Sequence, residues 1–191
     1  MAEVVLYHHV QGLTPGVHEF ADRLRAGGHS VHVPDMFDGR TFDSIDDGFA
    51  YGHEVGGLGP LREQAVAAAE EFPREVVYAG MSLGVMTAQR LAQTRPGAKG
   101  ALLLMSCVPP EEFGGGWPDG VPAQIHGKEG DEFFAEDIDA ARALAASARD
   151  VELFVYPGDQ HLFVDSSLDD FDAEATDLLT ERVLGFLDNV D

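Results

Sequence analysis

Residues 101–105 read Ala101-Leu102-Leu103-Leu104-Met105, an unbroken apolar run inside Gly100–Ser106. A strand with one solvated face alternates apolar and polar side chains, whereas a strand covered on both faces does not. The run therefore points to the interior of a parallel sheet sandwiched between helices. The flanking chain supports this. Strand signals fall at Val4–His9, Ser30–Val33, Glu75–Ala79, Pro122–His126 and Val151–Tyr156. Between them, helical patterns cover residues 15–26, 61–72, 85–94, 137–148 and 172–187. The first helix carries its own punctuation: Thr14 to cap it, Pro15 in its first turn and Gly27-Gly28 to stop it. Strands and helices alternating in this way predict α/β architecture, a mostly parallel sheet with helices on both faces.

One stretch, Met36 to Pro60, breaks the rhythm. It holds six glycines and the aromatics Phe37, Phe42, Phe49 and Tyr51 without clear period. It reads as a long loop, either a partial lid over a site or a surface loop packed on its own aromatics. The 191 residues fit one domain, with no repeat, linker or second domain in the pattern.

Composition narrows the function classes. Twelve basic residues against thirty-four acidic ones leave a formal charge of −22, and only Lys99 and Lys128 are lysines. Such a surface repels phosphate backbones and anionic membranes, so neither is an expected partner. The acidic, lysine-poor coat fits two origins, adaptation to high salt or an acidic protein of a GC-rich genome. No apolar run approaches the roughly 20 residues of a membrane-spanning helix. The opening Met1-Ala2-Glu3-Val4-Val5-Leu6 lacks the basic start of a secretory signal. Cys107 is the single cysteine, so no internal disulfide forms and a cytoplasmic home is expected.

The chemistry centres on Gly80-Met81-Ser82-Leu83-Gly84, which joins the strand Val76-Val77-Tyr78-Ala79 to a helix. In that setting G-x-S-x-G forms a nucleophile elbow, a turn so sharp that side chains two positions either side of the serine would clash. The turn exposes the Ser82 hydroxyl and aims the first amides of the next helix into the same space. A plainer role for Ser82 is a helix N-cap. In α/β sheets reactive groups gather beyond the carboxyl ends of the strands. Asp131 follows the fifth strand and His161 the sixth. The chain order Ser, Asp, His is that of α/β-hydrolases. His161 would take the serine proton and return it to the leaving group, and Asp131 would orient the ring. Glu129, Asp137 and Asp159 lie close enough in sequence to compete as the acid. A second oxyanion donor is expected after the first strand, in His9-Val10-Gln11-Gly12, with the Val10 amide paired with that of Leu83.

No cofactor or metal is expected. The histidines at 8, 9, 18, 29, 32, 53 and 126 show no metal-ligand spacing, and neighbours on a strand such as His8 and His9 face opposite ways. Cys107 reads as a small buried residue near the end of a strand. Gly56-Gly57-Leu58-Gly59 is followed by no lysine, as a phosphate loop requires, and does not match dinucleotide spacing.

With these residues in view, the chain resembles the dienelactone hydrolase family over nearly its whole length. The likeness is carried by His9-Val10-Gln11-Gly12-Leu13-Thr14-Pro15-Gly16, Ala21-Asp22-Arg23-Leu24 and Val33-Pro34-Asp35-Met36-Phe37. It continues through the elbow, the Asp131 loop and Tyr156-Pro157-Gly158-Asp159-Gln160-His161-Leu162-Phe163. The resemblance implies a three-layer α/β-hydrolase fold of about six or more mostly parallel strands, without a large cap domain. It also implies a nucleophile–His–Asp triad acting on a small ester or lactone. Two departures are plain: Ser82 stands where the founding enzymes carry cysteine, and His9 where they carry glutamate. Arg40 is the sole arginine in the long loop that could clamp a substrate carboxylate. The alternative function on the same fold is a non-catalytic small-ligand or interaction module.

Overall fold

The computed structural model describes residues 1–190. It contains six strands: β1 (Glu3–Tyr7), β2 (Ser30–His32), β3 (Val77–Met81), β4 (Gly100–Leu104), β5 (Ala123–Lys128) and β6 (Val151–Tyr156). All pair in parallel, in the order β2-β1-β3-β4-β5-β6. Six helices connect or cover them: α1 (Pro15–Ala26), α2 (Ile45–Glu54), α3 (Leu58–Ala68), α4 (Leu83–Thr94), α5 (Glu132–Ser147) and α6 (Ala173–Leu187). No helix among the described residues is long and apolar enough to cross a membrane.

Strand periodicity divides the core into two layers. Val4 and Leu6 of β1, with Leu102 and Leu104 of β4, pack under Val17, Phe20 and Leu24 of α1 and Leu179 and Val183 of α6. Val5, Tyr7, Leu103 and Ile125 face the other way, onto Val85, Ala88 and Leu91 of α4 and Phe134, Ala141 and Leu144 of α5. Every residue of β3 and β4 is buried, which accounts for the unalternating run in the sequence. The result is the three-layer α/β-hydrolase architecture, without a large cap.

Three expectations are corrected. The 36–60 segment is not an irregular loop: it contains α2 and the start of α3. Glycines at 48 and 52 sit on the buried side of α2 and hide its apolar face from a periodicity reading. The Ser44 hydroxyl caps α2 through the Asp47 amide at 3.1 Å. Helix α5 begins at Glu132, five residues before the expected start, because Asp131 is its N-cap. Strand β3 runs two residues further, through Gly80 and Met81, directly into the elbow. By contrast, Thr14 caps α1 as expected, accepting the Val17 amide at 3.3 Å.

Strand order reverses direction at β1, with β2 to one side and β3 to the other. The crevice at the carboxyl ends of β1 and β3 is the place where open α/β sheets bind ligands.

Candidate active site

Ser82 lies at the carboxyl end of β3 with φ 48° and ψ −112°, a left-handed backbone that is strained for a residue with a Cβ. Packing enforces it. A Cβ on Gly80 would sit 2.4 Å from the Gly84 carbonyl carbon, and one on Gly84 would sit 2.2 Å from the Tyr7 oxygen. The two glycines thus let β3, α4 and the end of β1 meet at the turn. The Ser82 amide donates to the Leu104 carbonyl at 2.7 Å, tying the elbow to β4. Its hydroxyl makes no cap bond to α4.

That hydroxyl is instead 2.7 Å from His161 Nε2. The opposite ring nitrogen, Nδ1, lies 2.6 Å from Asp131 Oδ2, and with that nitrogen donating to the carboxylate, Nε2 is free to accept the serine proton. Asp131 is almost wholly buried, and its second oxygen accepts the Phe133 amide at 2.9 Å as the N-cap of α5. One carboxylate therefore starts a helix and fixes an imidazole. The Phe133 ring lies against His161, centroids 4.7 Å apart. Among the other acids weighed from sequence, Glu129 and Asp159 are exposed. Asp137 accepts the Ser106 hydroxyl at 2.6 Å and the Cys107 amide at 3.2 Å. None of the three bonds to His161.

The His161 loop is braced from below. Lys128, completely buried at the end of β5, donates to Gln160 Oε1 and to Asp172 Oδ2, both at 2.6 Å, and lies over the Phe163 ring. Its ammonium and the amides of the α6 N-terminus hold the Asp172 carboxyl below the usual carboxylate range. Nothing in the pattern around Lys128 assigns it that role, although it is one of only two lysines in the chain.

The loop after β1 carries Val10, nearly fully buried. β1 ends at Tyr7, so His8 and His9 lie in the loop after it and not on the strand where the sequence placed them. His8 packs on Phe37, ring centroids 4.9 Å apart, and burial pushes its pKa down to about 4. His9 reaches the buried Asp165 at 2.7 Å. Burial raises the Asp165 pKa, but hydrogen bonds from His9, Ser167 and Thr14 outweigh it and the net shift is downward. No sequence signal links His9 to Asp165, which lie 156 residues apart.

A cavity of about 150 Å³ opens at the serine, walled by Ser82, Leu83, Met86, Met105, Phe133 and His161. Ser106, Glu136 and Asp137 complete its wall, and no lysine or arginine lines it. Arg40 lies elsewhere, its guanidinium 5.1 Å over the Tyr51 ring. Among the described residues no group of three His, Cys, Asp or Glu side chains is arranged to hold a metal ion. Cys107 is buried, and desolvation with the nearby Asp137 charge pushes its thiol up to about 12, so it stays protonated at neutral pH.

The sequence model of the dienelactone hydrolase family matches residues 1–190. No curated protein matches the chain. Among solved structures, a dienelactone hydrolase-like promiscuous phosphotriesterase from metagenomic libraries, P91, is 19% identical with a TM-score of 0.76, covering 100% of this chain and 87% of its own. A dienelactone hydrolase from Anabaena variabilis is 15% identical with a TM-score of 0.66, over 97% of this chain and 84% of its own. A cold-adapted esterase from an Arctic intertidal metagenomic library is 20% identical with a TM-score of 0.56, over 95% and 82%. At these identities the likeness to solved structures is one of fold.

Proposed function

The chain belongs to the dienelactone hydrolase family, and on that premise we propose that it is a serine-dependent hydrolase of small esters or lactones, acting through an acyl-enzyme. The observation that carries this reading is the continuous hydrogen-bond chain from Ser82 through His161 to Asp131, 2.7 Å and 2.6 Å long. In the first half-reaction His161 Nε2 takes the hydroxyl proton as Ser82 Oγ attacks the substrate carbonyl carbon. Asp131 keeps the ring in the required tautomer and stabilises the imidazolium. The carbonyl oxygen becomes an anion and accepts hydrogen bonds from the Val10 and Leu83 amides, each donor of this kind contributing about 10²–10³ in rate. The imidazolium then protonates the departing alkoxide. Water repeats the sequence on the acyl-serine, giving a carboxylic acid and restoring the hydroxyl. With a lactone the alcohol remains attached to the acid as one hydroxy-acid product.

Cavity chemistry narrows the substrate. Leu83, Met86, Met105 and Phe133 give the cavity one apolar side, which suits a short acyl chain. With Glu136 and Asp137 in its wall and no lysine or arginine beside them, a carboxylate on the acyl group would meet repulsion without a guanidinium or ammonium partner. The reading is therefore of an uncharged ester or lactone rather than a carboxylate-bearing one.

A fluorophosphonate probe and a panel of chromogenic esters test it. Ser82 is expected to be the labelled residue, and Ser82→Ala to abolish labelling and turnover with the circular dichroism spectrum unchanged. Turnover that survives Ser82→Ala would sink the assignment. A neutral butyrate ester is expected to be cleaved at least about tenfold faster, in kcat/KM, than a size-matched ester whose acyl chain ends in carboxylate. Equal rates would refute the charge argument alone.

A further inference from the structure

The peptide joining His9 to Val10 is gripped on its carbonyl side. Its oxygen lies 2.7 Å from His8 Nδ1 and accepts the Gly12 amide at 3.0 Å. His8 Nε2 accepts the Met36 amide at 2.9 Å, so the proton resides on Nδ1 and the ring donates to that oxygen. A trans peptide sets its N–H opposite its own C=O, and no cis peptide occurs among the described residues. Fixing the His9 oxygen therefore fixes the direction of the Val10 N–H.

His9 secures the peptide that follows, Val10–Gln11. Its Nδ1 accepts the Gln11 amide at 3.2 Å, which leaves Nε2–H to donate to Asp165 Oδ2 at 2.7 Å. Asp165 is itself held by the Thr14 hydroxyl and by the Ser167 amide and hydroxyl at 2.9 and 2.6 Å. His8, His9 and Asp165 are all buried. Donor geometry so constrained does not have to reorganise when charge develops on a substrate, which is the condition under which an oxyanion site is effective. Asp165 also lies four residues after His161, so one carboxylate joins the loop after β1 to the loop that bears the imidazole.

We propose that His8 and His9 are positioning residues: His8 locks the peptide before Val10 and His9, held by Asp165, the peptide after it, so that the Val10 N–H faces the carbonyl oxygen of an ester bound at Ser82. This rests on the serine-hydrolase reading above. The two rings act through these peptides and do not touch substrate.

The test uses the full chain, a neutral chromogenic ester and a phenylboronic acid, which forms a tetrahedral anion on the serine. His8→Leu and His9→Leu are expected to lower kcat by about 10²-fold, the loss typical of one oxyanion donor. KM should stay within about threefold, since the ground-state carbonyl uses that donor weakly. Boronate affinity should fall in step with kcat. A merely structural role would move neither ratio in that pattern. His8→Asn and His9→Gln, whose amide groups can replace the lost donors, are expected to recover most of the loss. Leucine variants that fold and keep kcat and boronate affinity within about threefold of the parent overturn the proposal, as does a loss confined to KM. If the leucine variants do not fold, the unsubstituted protein decides: the Val10 amide proton should move downfield on boronate binding together with that of Leu83. Movement of Leu83 alone overturns the proposal. A parent protein that is neither labelled by fluorophosphonate nor active on any ester overturns the underlying reading, and the inference with it.

Discussion

Asp131 accepts from the Phe133 amide with one oxygen and faces His161 Nδ1 with the other, so two kinds of substitution at this position separate its roles. Asn caps a helix about as well as Asp. Asp131→Asn should therefore keep α5 and the melting temperature. The amide would favour the wrong imidazole tautomer, and kcat should fall by about 10⁴. Asp131→Ala should lose the same activity and, in addition, about 1 kcal/mol of stability from the missing cap. Equal melting temperatures for the two variants, measured by differential scanning calorimetry, would refute the capping role. At this scale the sequence was informative where a motif carried the residue. Ser82 stands in a glycine-flanked turn, and Asp131 and His161 follow predicted strands, so sheet topology alone sends all three to one end. Asp165 and Lys128 were not legible, because what they do depends on side chains reaching across loops that meet only after folding.

The strands and most helices were readable from periodicity and turn residues, as the capped α1 and the wholly buried β4 illustrate. The segment over 36–60 was not, since α2 uses glycine where other helices use leucine. The reason lies in what α2 touches. A Cβ on Gly48 would lie 2.2 Å from the Val10 oxygen, so the helix backbone rests directly on the loop after β1. The Phe42 amide donates to the Gln11 oxygen at 2.9 Å, and Gln11 Nε2 returns a bond to the Phe42 carbonyl at 3.0 Å. Gly48→Ala should push α2 and that loop apart, lowering kcat for a neutral ester by roughly tenfold or more while costing about 1–3 kcal/mol of stability. Unchanged kcat in a folded Gly48→Ala protein would show that α2 braces nothing of consequence. Lys128→Met makes the corresponding test under His161. It leaves Gln160 and the half-exposed Asp172 without their cation, a loss of about 2 kcal/mol in urea unfolding.

For the molecule as a whole, charge and buried imidazoles set the solution behaviour. Burial holds His8 at about 4 and, with the nearby Arg182 charge, His126 at about 3, against 6.5 in an unfolded chain. Below pH 6.5 the unfolded chain binds the extra protons, so this contribution is complete above that value and is lost as the pH falls towards 4 and 3. The lowered Asp165 acts in the same direction: its contribution is present above the ordinary carboxylate value and disappears as the pH drops through its folded one. The melting temperature in 1 M NaCl, where repulsion among surface carboxylates is screened, should be flat above pH 7 and decline steadily to pH 4. A flat profile throughout would contradict neutral burial of these rings. At neutral pH the −22 charge predicts the reverse lever: raising NaCl from about 10 mM to 1 M should increase the melting temperature. The shared carboxylate at the start of α5 has one more result. Helix ends open long before a domain does, and fraying of the first turn there would carry Asp131 away from the ring it orients. On gradual warming, then, turnover should fade reversibly several degrees below the loss of ellipticity, so an activity assay would act as a thermometer for a single turn of helix.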